Sequence, residues 1–251
     1  MENSKNLKAE VKLLKAGFFV LLSLNIIFML FAFNDDNGVK DFKEINAQRI
    51  NIVGENKKIV MAISNNKLIS GVSMNGKTYP KEFSDGRENM NGILFYNQYG
   101  DEVGGLIYNG LKRGDSGYSA VGHLSFDQWK QNQVVALQYL DNGKSRRAGL
   151  RIYDRPTNVP MDIIFDRLKK RNELTPNTPA YDSIVKEIRA ANDRGENGVE
   201  RMFIGSLNET AQILLKDKNG NTKIKIYVDK DGEAKMEFLD AAGKVVKSFP
   251  N

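Results

Sequence analysis

The stretch 213-ILLKDKNGNTKIKIYV-228 decides the fold class of this chain. Its Asn219-Gly220 pair favours the positive φ angles of a tight hairpin turn. After the turn, Ile224, Ile226 and Val228 occupy every second position, which places their side chains on one face of a strand. The stretch therefore predicts an antiparallel β-hairpin.

The same hairpin frame recurs along the chain. The stretch 93-ILFYNQYGDEVGGLIY-108 places Gly100 where the first hairpin has Gly220, and 236-MEFLDAAGKVV-246 places Gly243 there. Further turns are predicted at Asn142-Gly143, at Asp231-Gly232 and near Glu55-Asn56-Lys57. The irregular spacing favours a curved antiparallel meander or an open barrel over a strict solenoid. We therefore expect a mainly β (α+β) fold.

Two amphipathic helices are predicted to interrupt the strands, forming a helical hairpin at residues 157–198. Asn158 is a capping residue type, and Pro160 would lie in the first turn of the first helix; the second helix follows Thr178-Pro179. The apolar residues with helical spacing are Met161, Ile164, Phe165 and Leu168, then Ile184, Val185, Ile188 and Ala191. We expect this hairpin either to cover the sheet or to act as a partner-binding appendage.

A long apolar segment lies near the N-terminus, with the sequence AGFFVLLSLNIIFMLFAF at residues 16–33. A helix of about 20 apolar residues crosses a bilayer. Lysines precede the segment, and Asp35, Asp36 and Asp41 follow it, which favours a cytoplasmic N-terminus with the body on the other side. We predict a transmembrane signal anchor that contacts the lipid bilayer through residues 17–34; a cleaved signal peptide is the alternative.

These signals divide the chain into six regions. They are a basic cytoplasmic tail at 1–16, the anchor at 17–34, a linker at 35–42, a β-rich region at 43–156, the helical hairpin at 157–198 and C-terminal β-hairpins at 199–251. The body is long enough for one domain, or for one domain with an appendage.

Composition narrows the classes of function. The formal net charge of +6 arises from 37 Lys and Arg residues interspersed with 31 Asp and Glu residues. Beyond the first sixteen residues no basic stripe with interleaved aromatic residues occurs, so nucleic acid binding is not expected. The chain has no cysteine, which excludes disulfides, thiolate nucleophiles and sulfur-bound zinc.

Motifs for bound ions are equally sparse. Segments 217–221 and 229–233 superficially resemble calcium loops, but hairpin turns explain their acidic and amide residues better. The Gly104-Gly105 pair is not followed by a helix, so it indicates a bulge or a close backbone approach rather than a phosphate loop. We therefore predict neither a cofactor nor a metal site.

His123 is the only histidine and the one residue that suggests acid–base chemistry. Ser119 and Ser125 lie nearby, and Asp115 or Asp127 could orient the imidazole in a serine triad. Neither serine has the sequence of a nucleophile elbow, and alternation in a strand would place His123 and Ser125 together on one face. We therefore assign no catalytic residue and keep His123 as a candidate for a functional surface.

Four aromatic residues complete the candidates for a functional surface. Tyr96, Tyr99 and Tyr108 lie along one predicted hairpin, and Trp129 follows another strand close to Phe126. An exposed group of such residues would suit carbohydrate or peptide binding. Cross-strand pairing in the core is the alternative role.

Four stretches carry a resemblance to a known group of proteins: EINAQRINIVGENKKIVMAISN at 44–65, GILFYNQYGDEVGGLIYNG at 92–110, GHLSFDQWKQNQVVAL at 122–137 and ILLKDKNGNTKIKIYVDKDGEAKMEFLDAAGKVV at 213–246. Most of the body resembles uncharacterised bacterial proteins with an N-terminal hydrophobic segment. The resemblance implies a bacterial envelope protein and brings no known activity, cofactor or catalytic residue.

The expected function is therefore a binding or scaffolding module without catalysis. It would be anchored in the bacterial cytoplasmic membrane, with its N-terminus in the cytoplasm and its body in the periplasm, and would bind an envelope protein. The alternatives are an envelope hydrolase acting on glycan or ester bonds, and a subunit of a homo-oligomeric assembly whose strand edges pair.

Overall fold

The computed structural model describes residues 2–32, 39–83, 86–115 and 117–250. It contains two compact units, Met1–Asn46 and Ala47–Asn251. The chain is mainly β, as the sequence predicts. Residues 33–34 of the predicted anchor and 35–38 of the predicted linker lie outside the described residues.

The first unit contains helix α1, Glu2–Ala32. Its segment Asn6–Met29 is long and apolar enough to cross a membrane, by length and composition. A signal sequence near the N-terminus has the same properties. The helix begins at Glu2, so the segment interpreted as a basic tail is helical as well.

A twelve-stranded antiparallel sheet dominates the second unit. Its strands are β1 (Arg49–Val53), β2 (Ile59–Ser64), β5 (Asn91–Tyr96), β6 (Glu102–Arg113), β7 (Gly117–Asp127), β8 (Gln133–Asp141), β9 (Arg146–Asp154), β10 (Val199–Leu207), β11 (Thr210–Lys216), β12 (Thr222–Val228), β13 (Ala234–Leu239) and β14 (Val245–Phe249). Between β2 and β5, β3 (Ser73–Met74) and β4 (Lys77–Thr78) form a separate small hairpin. In the large sheet each strand pairs with the next one along the chain, so β1 and β14 are open edges. The sheet is therefore antiparallel and sequential, as the sequence predicts, and its edge strands do not pair with each other in the described part of the chain.

One turn design is used at four of the hairpins. In segment 217–221 the backbone N–H of Asp217 donates to the carbonyl of Asn221 at 2.9 Å, and its side-chain Oδ1 accepts from two backbone N–H groups of the turn. The turns that begin at Asn97, Asp229 and Asp240 repeat these bonds. The predicted hairpin forms and Gly220 has φ 83°, but Asn219 does not adopt a positive φ, so the expectation of positive φ at both residues is wrong. The carboxylates of Asp217 and Asp229, which made segments 217–221 and 229–233 resemble calcium loops, bind the backbone of their own turns instead.

The register of the sheet aligns one apolar residue from every strand on a single face. We call this series the first apolar row: Ile50, Ile63, Ile93, Leu106, Leu124, Leu137, Leu150, Ile204, Ile213, Ile226, Met236 and Phe249. Beside it lies the second apolar row: Ile52, Met61, Phe95, Gly104, Phe126, Val135, Ile152, Met202, Leu215, Ile224, Phe238 and Lys247. Together they define the apolar face.

The opposite side of the sheet, the covered face, holds the core. Ala62, Leu94, Ser125, Ala136 and Phe203 lie on it in one aligned series and are all buried. Small residues dominate this series, which leaves room for a second layer of structure to approach the strands. The sheet therefore buries one face within its own chain.

Two helices inserted between β9 and β10 contribute to that second layer: α2 (Met161–Glu173) and α3 (Pro179–Asp193). Ile164, Phe165, Ile184 and Ala191 are buried, as the helical spacing predicts. Thr178 caps α3 through its side chain, but the residue that caps α2 is Pro160, without a side-chain bond. The predicted cap at Asn158 is therefore wrong, because the helix begins later than expected.

Contacts with the small β3–β4 hairpin hold α2 in place. The rings of Tyr79 and Phe165 lie 4.9 Å apart, centroid to centroid. Asp166 accepts a hydrogen bond of 2.8 Å from the Tyr79 hydroxyl and forms an ion pair of 2.6 Å with Lys77. The backbone N–H of Met161 donates to the carbonyl of Lys130 at 2.8 Å, which ties the start of α2 to the β7–β8 turn. These contacts hold α2 against the small β3–β4 hairpin and the β7–β8 turn.

Candidate functional site

A cleft of about 750 Å³ lies between the covered face and the two helices. Strands β6–β8 form its floor, α2 and α3 form its roof, and residues of segment 72–90 close one side. The volume falls in the range of small-molecule sites, about 300–1,000 Å³. Its lining is mixed: the floor contributes polar and apolar side chains, and the helices contribute Ile164, Phe165 and Leu168 beside Arg167 and Arg171.

The first polar feature of the cleft is a buried ion pair between Arg87 and Glu102. Arg87 lies in a short 3₁₀ turn, Arg87–Asn89, and donates from Nη1 to Glu102 Oε2 at 2.8 Å and from Nη2 to Oε1 at 2.5 Å. Both side chains are less than one-tenth exposed. The planar guanidinium thus binds the carboxylate through two parallel hydrogen bonds. This bidentate geometry fixes the orientation of both side chains.

A bulge in β6 turns Glu102 toward the cleft. Phe95 pairs with Gly104, whereas the next residue of β5, Tyr96, pairs with Glu102, so Val103 is an extra residue. Gly104 has φ 133°, and a Cβ there would lie 2.2 Å from the carbonyl oxygen of Ser125. The Gly104-Gly105 pair is thus a bulge with close backbone approach, which is the interpretation that the sequence favoured.

Asp127 provides the second polar feature, a half-buried carboxyl group whose Oδ1 atom is buried without a hydrogen-bond partner among the described residues. Burial and, to a smaller extent, the nearby charge of Glu102 raise the pKa of Asp127 to about 7, whereas the charges of Arg87 and Arg155 lower it. An ionised carboxylate in such a place would lack both water and a donor. Asp127 is therefore a neutral acid over much of the range below pH 7 and presents one O–H donor.

His123 provides the third feature and takes part in a network of polar side chains across five strands. Gln138 Nε2 lies 2.9 Å from His123 Nδ1, and Arg151 Nη1 donates to Gln138 Oε1 at 2.9 Å. Glu200 then pairs with both Arg151 and Lys216. Because arginine can only donate, the amide nitrogen of Gln138 is the donor toward His123.

This network defines the protonation state of His123. Its Nδ1 accepts a hydrogen bond, so the neutral ring carries its proton on Nε2. Burial lowers the pKa of His123, and the charges of Arg87 and Arg151 lower it further. The ring therefore presents a neutral N–H donor to the cleft at neutral pH.

The serine triad considered from the sequence does not assemble among the described residues. His123 and Ser125 do share the covered face, as the alternation predicts. However, the Nδ1 atom of His123 is bonded to Gln138, and Ser125 is buried. Asp127, which was considered only as an orienting carboxylate, lies in the cleft as an acid in its own right.

The aromatic candidates are divided among three places. Tyr99 and Trp129 come together in an edge-to-face pair with ring centroids 5.8 Å apart, and both are more than half exposed. Tyr96 is half-buried beside Glu102 and Arg87, whose charges act on its phenol. Tyr108 lies on the apolar face. A functional role for these residues and for His123 stays a prediction.

Sequence reasoning missed the Arg87–Glu102 pair. Arg87 belongs to an irregular segment between two hairpins, and no spacing rule connects such a residue to a strand fifteen positions later. The available signal was the Gly104-Gly105 pair, because a bulge redirects the side chains of the residues before it. No group of three His, Asp or Glu side chains that could hold a metal ion occurs in the part of the chain that the structure describes.

The fold and the cleft define the class of this protein. It is a mainly β chain with one long apolar N-terminal helix and a large antiparallel meander, and an inserted pair of helices roofs a polar cleft. No protein-family model matches the chain, and no match was found among curated proteins or among solved structures. The chemistry of the cleft therefore carries the functional proposal.

Proposed function

We propose that this protein is a membrane-anchored binding module of the bacterial envelope that holds a neutral, hydroxyl-rich ligand, such as an oligosaccharide, in the cleft. The single observation that carries the proposal is the cleft of about 750 Å³, in which fixed polar side chains of the sheet lie beside apolar side chains of the helices. Clefts of this size with a few fixed polar groups and largely apolar walls are the usual form of small-molecule sites.

The polar groups of the cleft favour an uncharged ligand. The Arg87–Glu102 pair neutralises itself, Asp127 is mostly protonated below about pH 7, and the lowered pKa of His123 keeps its ring neutral at pH 7. Of the other charged lining residues, Arg167 pairs with Glu196, and Arg171 donates to the side chain of Asn172. Gln138 is already bonded to His123 and Arg151, and the further amides of the lining are Gln131, Asn132, Gln133, Asn172, Asn192 and Asn197. Amide groups offer a donor and an acceptor side by side, which matches neighbouring hydroxyl groups of a sugar.

The ligand test uses His123 as a reporter, because it is the only histidine in the chain. Neutral oligosaccharides, with and without N-acetyl groups, are titrated into the detergent-solubilised full-length protein while the imidazole proton signals are followed by NMR. We expect a saturable shift with at least one oligosaccharide, and we expect Asp127→Leu to weaken binding by about tenfold or more because it removes a buried donor.

A matched control is Leu137→Ala, on the opposite face of the sheet. It should leave the saturable shift unchanged. If no oligosaccharide moves the His123 signals, or if the Asp127 and Leu137 variants behave alike, the ligand class is wrong.

Helix α1 supports the anchoring part of the proposal, since Asn6–Met29 has the length and composition of a membrane span. Lysines before the apolar segment at residues 16–33 and aspartates after it favour a periplasmic body. We expect the native protein in the bacterial membrane fraction to have its full-length mass and to be digested by protease added from the periplasmic side. A product trimmed near residues 32–34 would instead show a released protein, and protection from the protease would reverse the orientation.

A second candidate, an envelope hydrolase acting on glycosidic bonds, is favoured by one observation. Asp127, with its pKa raised to about 7, has the property of a general acid. A hydrolase also needs a second carboxylate, and Glu102 is engaged in two bonds with Arg87. Release of reducing sugar that Asp127→Asn abolishes while binding persists would favour this candidate over the binding module.

A further inference from the structure

We propose that the apolar face is the surface on which a second copy of this chain packs, so that two sheets form a face-to-face sandwich. This association is separate from the ligand cleft, which lies on the other side of the sheet. It also differs from pairing between strand edges, because the contact is made by side chains and not by the backbone.

The exposure of the first apolar row is the observation that indicates an interaction surface. Seven of its twelve side chains are exposed, and Leu137 near its centre is 54% exposed. Phe126 and Leu215 of the second apolar row are exposed as well. Soluble proteins rarely leave an apolar patch of this extent uncovered unless it serves an interaction.

The face is suited to a second copy by its lack of charge. The first apolar row contains no polar residue, and the second contains one, Lys247, in the edge strand β14. A self-association places identical surfaces against each other, so any charge near its centre would meet its own copy. The net charge of +6 is therefore carried elsewhere on the molecule, where it does not oppose the contact.

The area of the face also matches a stable dimer. Twelve strands about 4.8 Å apart give rows about 53 Å long, and the two rows with their side chains cover a width of about 14 Å. Each copy would thus bury at most about 700 Å², or about 1,400 Å² for the pair, in the lower part of the usual range of about 1,200–2,000 Å², because the twist of each sheet confines the closest contact to the central strands. Packing a second sheet on the bare face is the standard way in which β proteins complete a core.

The test exploits the absence of cysteine from the chain. Leu137 lies on the sixth of the twelve strands in sheet order, close to the expected two-fold axis, so a thiol there should meet its own counterpart. Full-length Leu137→Cys in native membranes is treated with a short thiol-specific crosslinker and analysed on denaturing gels. We expect a covalent dimer.

The matched control is Leu111→Cys. Leu111 is also a partly exposed leucine in a strand, but the alternation in β6 places it on the side opposite to Leu106 of the first apolar row. Leu111→Cys should give several-fold less dimer, because its thiol lies outside the proposed contact. Random collisions crosslink both variants equally, so they cannot account for a difference in yield. Adding Ile204→Lys beside Leu137→Cys should reduce the yield several-fold, since it places two like charges in the contact.

Two results would overturn the proposal. Equal dimer yields from Leu137→Cys and Leu111→Cys would mean that the crosslinks report collisions only. A thiol at position 137 that gives no dimer would exclude a second copy; its protection from an aqueous maleimide would then indicate that lipid covers the face. Both variants should keep the native fluorescence of Trp129, which confirms that the fold is retained.

Discussion

Replacing Arg87 with methionine is expected to lower the free energy of unfolding by about 3–5 kcal/mol. The substitution keeps most of the volume of the side chain but leaves the Glu102 carboxylate buried without the two bonds of 2.8 and 2.5 Å that compensate its desolvation. Urea unfolding of the detergent-solubilised full-length chain, followed through Trp129 as the only tryptophan, measures the loss.

Two comparisons make this prediction specific. The double variant Arg87→Met with Glu102→Leu should recover most of the lost stability, because a pair of apolar side chains carries no buried charge. Lys230→Met breaks an ion pair whose side chains are 64% and 70% exposed, and should change stability by less than about 1 kcal/mol. A loss at Arg87 no larger than the loss at Lys230 would contradict a buried, mutually compensated pair in the cleft.

Asp127→Asn is expected to stabilise the protein in a manner that grows with pH. In the folded state the pKa of Asp127 is raised from 3.8 to about 7, so the folded protein binds more protons than the unfolded chain between these values. Stability of the wild type therefore falls as pH rises through this window, by at most about 1.4 kcal/mol per pH unit from this group. The variant lacks this loss, and should gain up to about 4 kcal/mol relative to the wild type above pH 7.

Unfolding curves measured at intervals from pH 4 to pH 8 test this prediction. The curves of the two proteins should converge near pH 4, and their difference should level off above about pH 7. Asp231→Asn, in an exposed turn, serves as the control and should give a difference that does not change over the window. A constant difference for Asp127→Asn would mean that its carboxyl group is already ionised throughout.

The sheet could be predicted in large part because its signals are local. The alternation of Ile224, Ile226 and Val228, and the glycine at a fixed place in four of the turns, depend only on neighbouring residues. The exact turn was not predictable from Asn-Gly alone. Asn75-Gly76 adopts two positive φ angles, 51° and 73°. In the turn at Asn219-Gly220, the side chain of Asp217 accepts hydrogen bonds from the backbone of Asn219 and Asn221, so the turn spans residues 217–221.

The cleft was harder to predict because it depends on contacts between distant segments. Arg87 comes from an irregular segment, Glu102 is redirected by a bulge, and the roof comes from helices inserted after β9. The two apolar rows could likewise be aligned only once the register of every strand pair was known. Local patterns indicated that one side of each strand was apolar, but not that these sides formed one continuous surface.

The connection of each strand to its neighbour in the chain has a consequence for folding. Nearly all pairings in the sheet join residues that are close in sequence, so each hairpin closes at a low entropic cost. Such a sheet has a low contact order for a β protein and can grow outward one hairpin at a time. The insertion of α2 and α3 separates the paired strands β9 and β10 by a long segment, so we expect docking of the C-terminal five strands onto β9 to be the slowest pairing in the sheet.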